Sequence, residues 1–491
     1  MNTNKLFSPA NSPESVGIPS KAVLEFLEGK DRDRTCMHGF LLVRHGLIAA
    51  EGYWAPYHKD SMHRMYSVSK SFVSLAIGLM IDEGKLSLND PVSKFLPDKC
   101  PENLHPYTAQ ATVRDLLMMA TQNPRNSYGR GDKDWAATFF HMNPTHPSGT
   151  IFSYDTAATV VLNTIVERIS GMPFLEYMRP KLLDPIGFTK EAWCIKTPEG
   201  TSWGGSGVLC KLRDMAKLAY VCLNKGKWGD KQLISKEYIE AATSKQIDNS
   251  NIAIETREGY GYQIWREKNN GFSFRGMGSQ LAYCFPDKDF IFACISDTQG
   301  AGPTGFGIQK HFERLFEKIS DEPLPEDPES LAKLNEKIKS LHILPEYGAL
   351  HSSYVDKING VWYELNENPM NITRTRLIFE GDEGVWEYEN ASGFKSLRFG
   401  IGKKVAGHFP QTNYYMEQIG KESGIPYKCL ASAAWVEEHK LNMLVYITDI
   451  YLGTLKITFS FKNNDIAIYM RKVAEWFLDE YHGIASGTVQ S

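Results

Sequence analysis

Net charge is only −4 over 491 residues, and Lys and Arg are dispersed rather than gathered into a run or stripe. Neither nucleic acid nor an anionic membrane is therefore expected as a partner. No apolar run reaches the roughly 18 residues that a spanning helix needs. The first residues, MNTNKLFSPANSPES, hold no apolar h-region, so a secretory leader is not expected there. There is no CxxC and no His/Cys group at ligand spacing, so no metal is expected. The eight cysteines are scattered and mostly lie among apolar neighbours. They read as buried free thiols, which places the protein in a reducing compartment, the cytoplasm. Internal repeats and low-complexity tracts are also missing.

What is present is an ordinary globular composition, 42% hydrophobic, with enough chain for two or three domains of about 100–200 residues. A helix is expected over Lys21–Gly29. A β-hairpin is expected over Gly39–Val43 and Leu47–Tyr53, around His45-Gly46. Ser67–Glu83 is strongly helical, with apolar residues at Phe72, Leu75, Ala76, Leu79 and Met80 and Gly84 behind them. Thr112 can cap a helix over Val113–Ala120. Residues 121–150 read as a long loop. Helices follow over Thr156–Ser170, Lys211–Asn224 and His311–Ile319, and strands over Tyr260–Trp265, Gln280–Phe285 and Phe290–Ser296. The fold class is α+β: an antiparallel sheet flanked by helices.

Composition changes at DEPLPEDP, residues 321–328, an acidic, proline-rich linker signature. The expected division is a first domain over residues 1–320, a linker with one helix (Glu329–Ser340) over 321–345, and an all-β domain over 346–491, barrel-like in its strand spacing. Its strands are placed at Leu377–Phe379, Val385–Tyr388, Leu441–Ile447, Thr454–Phe461 and Asp465–Tyr469.

Ser67-Val68-Ser69-Lys70 is an SxxK at the start of the most apolar helix. Residues three apart share a helical face, so the amine can reach the hydroxyl. The helix N-terminus favours negative charge developing beside Ser67. Serine is a weak nucleophile and needs a base, and lysine serves only where its surroundings lower its pKa. The same four residues also fit an N-capping serine with a snorkelling lysine. Ser69 and Ser71 have Phe72 and Ser74 three residues on, so only Ser67 has a base one turn along.

The wider segment, MYSVSKSFVSLAIGLMIDEGKLSLNDPVSKFLP, resembles the active-site segment of β-lactamase-related serine hydrolases. That family includes serine β-lactamases, D,D-peptidases, carboxylesterases and nylon-oligomer hydrolases. ATVRDLLMMATQ and GGSGVLCKLRDMAKLAY resemble other parts of it, so the likeness spans roughly residues 12–320. INGVWYELNENPMNI carries a weaker likeness to a β-domain appended to some members. The resemblance implies a β-lactamase/transpeptidase-like first domain with Ser67 acylated and Lys70 as base. It matches the family's tyrosine motif to Tyr154, in Phe152-Ser153-Tyr154-Asp155-Thr156, where Thr156 replaces the usual asparagine. It matches the third motif to Arg275-Gly276, before Met277-Gly278-Ser279-Gln280. Gly276 and Gly278 would let backbone approach substrate. The Met277 N–H would join that of Ser67 in an oxyanion hole. Arg275 stands where a lysine or histidine is usual and would contact substrate in its place. Both departures point to the esterase and amide-hydrolase branch rather than to β-lactam turnover.

The expected function is hydrolysis of a small ester or amide through an acyl-enzyme, without metal or cofactor. Two alternatives stay open: a D-amino-acid peptidase or acyltransferase of the same family, and a catalytically silent homologue that only binds a ligand. The β-domain is left as a cap over the cleft or a homo-oligomer contact. Gly200-Thr201-Ser202-Trp203-Gly204 also spells GxSxG, but no apolar strand leads into it, so it reads as a chance match. His38, His141 and His146 could complete a triad with a serine, and none has a supporting signature.

Overall fold

A computed structural model describes residues 5–129, 131–252, 257–299, 306–410, 427–475 and 477–490. The chain divides into two units, Met1–His342 and Ile343–Ser491.

The first unit is built on a six-stranded antiparallel sheet. Its order is Leu47–Tyr53, Met37–Arg44, Phe290–Ser296, Gln280–Phe285, Phe272–Gly276 and Trp265–Arg266. The hairpin forms where the sequence places it. His45 and Gly46 both take positive φ (51° and 72°), the twist that two-residue hairpins favour. Met37–Arg44 then lies against Phe290–Ser296, so the two ends of the unit meet at mid-sheet. One face packs on helices Ser20–Arg32 and Phe306–Phe316, with Phe26 against Phe292 and Phe312 against Phe292 and Tyr283. The other face packs on helix Leu212–Leu223: a methyl at Gly39 would touch the Leu212 side chain.

Helix Ser69–Asp82 is buried almost all round, from Ser69 to Met80, as its evenly apolar sequence requires. At about 1.5–3 kcal/mol for each large apolar side chain fully buried, it is a rigid mount for whatever stands at its N-terminus. It packs against helix Thr156–Ser170, which begins at the N-cap Asp155 and ends at Gly171 with φ 72°. Thr112 and Asp115 form a capping box on helix Val113–Leu117.

Three elements differ from expectation. The loop over 121–150 contains helix Trp135–His141, capped by Asp134, with Trp135, Phe139 and Phe140 buried. The strand expected over Tyr260–Trp265 shrinks to Trp265–Arg266. Gln263 takes φ 57°, and its side-chain amide donates to the carbonyls of Leu116 and Leu117, so helices rather than a strand neighbour hold this segment. The helix read as part of the linker, found over Pro328–Lys339, packs on Ser20–Arg32 inside the first unit, where Lys337 pairs with Asp31.

The second unit is a closed barrel of nine strands: Tyr363–Leu365, Arg374–Glu380, Glu383–Asn390, Gly393–Ile401, Tyr427–Glu437, Lys440–Thr448, Leu452–Lys462, Asp465–Ala474 and Gly483–Val489. Neighbours are antiparallel except at the seam, where Gly393–Ile401 meets Tyr427–Glu437 in parallel. Val405–Phe409 pairs along the same edge of Tyr427–Glu437. Side chains alternate along the first part of Asp465–Ala474, with Ile466, Ile468 and Met470 inward. Trp386 stacks on Tyr388, whose hydroxyl meets that of Tyr481 at 2.8 Å. No described helix in either unit is long and apolar enough to cross a membrane.

Candidate active site

Ser67 lies in a short 3-10 turn, Tyr66–Val68, that leads into helix Ser69–Asp82. Tyr66, immediately before it, takes φ 48°, an uncommon conformation for a bulky residue and a sign of a backbone held by its surroundings. What holds it is Arg64, only 1% exposed, whose guanidinium lies 4.2 Å from the Tyr66 ring centroid and 4.8 Å from that of Trp203. Arg64 also donates to the Ser206 carbonyl and to its hydroxyl, both at 3.0 Å. One buried cation thus ties the turn before Ser67 to residues 203–206.

That second segment matters because Lys70 uses it. Lys70 Nζ is 3.0 Å from Ser67 Oγ and donates to the Gly205 carbonyl at 2.6 Å. The side chain is 1% exposed. Gly205 must be glycine: a Cβ there would sit 2.5 Å from Thr156 Cγ2. Thr156, where the family motif has asparagine, therefore packs on the residue that anchors the lysine.

Tyr154 completes the group. Its hydroxyl is close enough to Ser67 to interact with it, and its ring centroid is 5.0 Å from Lys70 Nζ. Trp265 stacks on it at 5.5 Å. Burial pushes the phenol up to about 12, against the opposing effect of the Ser67 side chain, so it stays protonated at neutral pH. The next residue, Asp155, is fully buried and accepts from the Ala157 N–H at 2.9 Å and from Thr121 at 3.4 Å. Burial raises its carboxyl to about 7, only partly offset by those hydrogen bonds.

Across the site runs strand Phe272–Gly276. A Cβ at Gly276 would lie 2.4 Å from the Met65 carbonyl and 3.3 Å from the Ser67 nitrogen, so this backbone touches the nucleophile turn. The bend beyond it is clamped. Gln280 donates to the Met277 carbonyl at 2.9 Å and to the Ser296 carbonyl at 2.8 Å, and Thr298 N–H donates to the Gly278 carbonyl. Gly278 has φ 75°. Among the described residues, the N–H groups of Ser67 and Met277 take no partner in the turn and loop hydrogen bonds.

Arg275 is not brought to this side. Side chains alternate along a strand, and Gly276 faces Ser67, so Arg275 faces the other way. It pairs with Glu267 at 2.7 Å and lies 5.3 Å from the Tyr283 ring centroid, on the face covered by helix Phe306–Phe316. The expectation that it contacts substrate is corrected by that parity.

The histidines and the second serine lie elsewhere. Ser67's polar side-chain partners among the described residues are Lys70 and Tyr154. His146 meets Thr145 at 2.9 Å, and His141 is exposed at a helix end. His38 is buried against His63, Nδ1 to Nε2 at 2.9 Å. Because His63 Nδ1 donates to the Arg64 carbonyl, its Nε2 must accept, and His38 is protonated on Nδ1. Both imidazoles are neutral: desolvation lowers His38 well below its usual value and His63 to about 4. Ser202 is 1% exposed, with its N–H on the Glu167 carboxylate and its hydroxyl 3.2 Å from Lys196. It is not presented on an open strand-to-helix turn.

Comparison with known proteins gives a consistent picture. The beta-lactamase family model matches residues 35–308, more than half of the chain. The 6-aminohexanoate-dimer hydrolase of Paenarthrobacter ureafaciens is 26% identical over 287 residues, which cover 54% of this chain and 73% of that protein. A family VIII carboxylesterase is similar in structure, with a TM-score of 0.51 at 16% identity, over 64% of this chain and 98% of the other. The structure of SurE with D-Leu has a TM-score of 0.50 at 15% identity, over 90% of this chain and 95% of the other. The last two likenesses are of fold.

Proposed function

The chain belongs to the beta-lactamase family, and from that premise we propose that it is a serine hydrolase that cleaves a small ester or amide through an acyl-enzyme on Ser67. The observation that carries this reading is the 3.0 Å approach of Lys70 to Ser67 with the amine anchored on the Gly205 carbonyl. An amine so placed, in its neutral form, takes the proton as Oγ attacks the substrate carbonyl. Tyr154 is the acid of the pair, because a phenol with a pKa near 12 enters the reaction carrying its proton. It delivers that proton to the departing alcohol or amine, directly or through Lys70. Water then attacks the acyl ester by the reverse route and Ser67 is regenerated.

The oxyanion hole in this reading is the Ser67 N–H with the Met277 N–H. One such donor is typically worth about 3–4 kcal/mol of transition-state stabilisation. Gly276 supports it by letting the strand lie against the nucleophile turn, and Gly278 by taking the positive φ that the bend needs. The relative from Paenarthrobacter ureafaciens, named for hydrolysis of the 6-aminohexanoate dimer, supports testing short amides beside esters. The reading places the protein in the cytoplasm, supported by eight free cysteines, six of them buried.

The test is steady-state hydrolysis of p-nitrophenyl acyl esters and matching anilides by the parent, Lys70→Ala and Tyr154→Phe. Lys70→Ala should lower kcat by about 10²–10⁴-fold. Tyr154→Phe should cost anilides more than nitrophenyl esters, whose leaving group needs little protonation. Full activity in Lys70→Ala would refute the assignment. Added amines that divert the acyl group to new amides would mark an acyltransferase instead.

A further inference from the structure

On the face of the sheet opposite Ser67, a small, partly open pocket lies between the end of strand Gln280–Phe285 and helix Phe306–Phe316. Its walls include four aromatic rings, those of Tyr283, Phe285, Phe312 and Phe316, and two carboxylates, those of Glu267 and Glu313. The catalytic scheme uses none of them. Phe285 and Phe316 are 4.2 Å apart between centroids, and Phe312 lies 5.8 and 5.7 Å from each, so the rings form one continuous surface.

The two acids are held differently. Glu267 is 7% exposed. Among the described residues every polar contact of its carboxylate falls on one oxygen, Oε1: Ser273 Oγ, Arg275 Nε at 2.9 Å and Arg275 Nη2 at 2.7 Å. Oε2 is left as an acceptor, and it is not a fully buried orphan, so it is accessible to a donor. Glu313 is exposed on the helix and accepts from Gln309 at 3.1 Å, so one side of its carboxylate is also available. Lys268, also lining the cavity, is exposed, and Arg275 is already spent on Oε1.

Aromatic faces with carboxylate acceptors recognise one chemical class, an organic cation with an apolar body. The ring quadrupoles attract the charge, the rings cover the hydrocarbon, and carboxylate oxygens take the N–H donors. We propose that this cavity binds a small primary ammonium compound, with its ammonium group on Glu267 Oε2 and Glu313 and its apolar part on the Phe285–Phe312–Phe316 surface. The site is separate from the cleft at Ser67. It communicates with it along one strand: Glu267 holds Arg275, and the next residue, Gly276, lies against the Ser67 turn.

The test uses the full chain with Ser67 blocked by a fluorophosphonate, or as Ser67→Ala, so that binding in the cleft is separated from binding here. Benzylammonium chloride, benzyl alcohol and sodium benzoate are titrated by calorimetry and ligand-detected NMR. Benzylammonium should bind to the blocked protein about tenfold or more tighter than the alcohol, and benzoate should not bind. Glu313→Gln, at an exposed position, should weaken benzylammonium several-fold, and Glu267→Gln should remove it. Thermal melting of Glu267→Gln checks that loss of the Arg275 pair has not unfolded the protein, and Glu313→Gln decides the matter if it has. Equal binding of the three compounds, preference for benzoate, no binding to blocked protein, or indifference to Glu313→Gln would each overturn the proposal.

Discussion

Replacing Asp155 by asparagine isolates one electrostatic cost of the site. The carboxyl is fully buried at the cap of helix Thr156–Ser170, and its pKa stands at about 7 against an ordinary 3.8. A folded-state pKa above the unfolded one means that the native protein holds the extra proton between those values. Stability from this group is therefore full below pH 3.8 and is lost as pH rises through 7. The interval, at about 1.4 kcal/mol per pH unit, amounts to about 4 kcal/mol in all, of which roughly 2–3 kcal/mol falls between pH 5 and pH 8. Asparagine cannot ionise, yet its side-chain oxygen still accepts from Ala157 N–H, so the cap survives. Urea unfolding of parent and Asp155→Asn at pH 5, 6, 7 and 8 gives the difference directly, with all other titrating groups common to both. The variant should gain on the parent by roughly 2–3 kcal/mol from pH 5 to pH 8. Parallel curves would show that the carboxylate is already ionised at pH 5 and would refute the reasoning.

Three further outcomes follow from the same geometry. In the Asp155→Asn background the acid limb should be steep. His63, lowered to about 4, and His38, lowered further, bind protons only on unfolding, so stability present above pH 6.5 is lost as pH falls toward 4. His63 alone accounts for about 3 kcal/mol, and a flat profile from pH 6.5 to 4.5 would contradict the neutral pair. Gly276→Ala should lower kcat by about 10²-fold and also lower the melting temperature, because its Cβ can be relieved only by moving backbone at Met65 or Ser67; an unchanged kcat would separate this strand from the reaction. Arg64→Lys keeps the charge but loses the planar fork that reaches Ser206 and covers Tyr66. It should cost about 1–3 kcal/mol in unfolding and reduce kcat more than it raises KM, and wild-type kinetics would remove Arg64 from the site's support.

The parts of this architecture that rest on local spacing were legible in the sequence. Ser67 and Lys70 are three residues apart on a helix whose apolar pattern is unmistakable, and no distant residue is needed to see that they face each other. Tyr154 was legible only through its flanking segment. The Gly205 carbonyl was not, because a backbone acceptor has no side-chain signature and lies 135 residues from Lys70. Arg64 was hidden for the same reason, its partner Ser206 being 142 residues away. Arg275 is different. Once Gly276 is placed against Ser67, strand parity alone sends its neighbour to the opposite face, so the alternation rule carried the answer. The strand expected at Tyr260–Trp265 failed because Gln263 spends its amide on two helix carbonyls. In the barrel, strands such as Gly393–Ile401 went unread because an exposed Phe394 and a half-buried Lys395 blur the alternation, a weaker signal than a continuous apolar run.

The central claim is that Ser67 is the nucleophile. Peptide mass spectrometry after treatment with a fluorophosphonate, on the parent and on Ser67→Ala, tests it most directly. The account predicts an adduct on the peptide carrying Ser67 that disappears in the variant. An adduct on Ser202, or one that persists in Ser67→Ala, would contradict it.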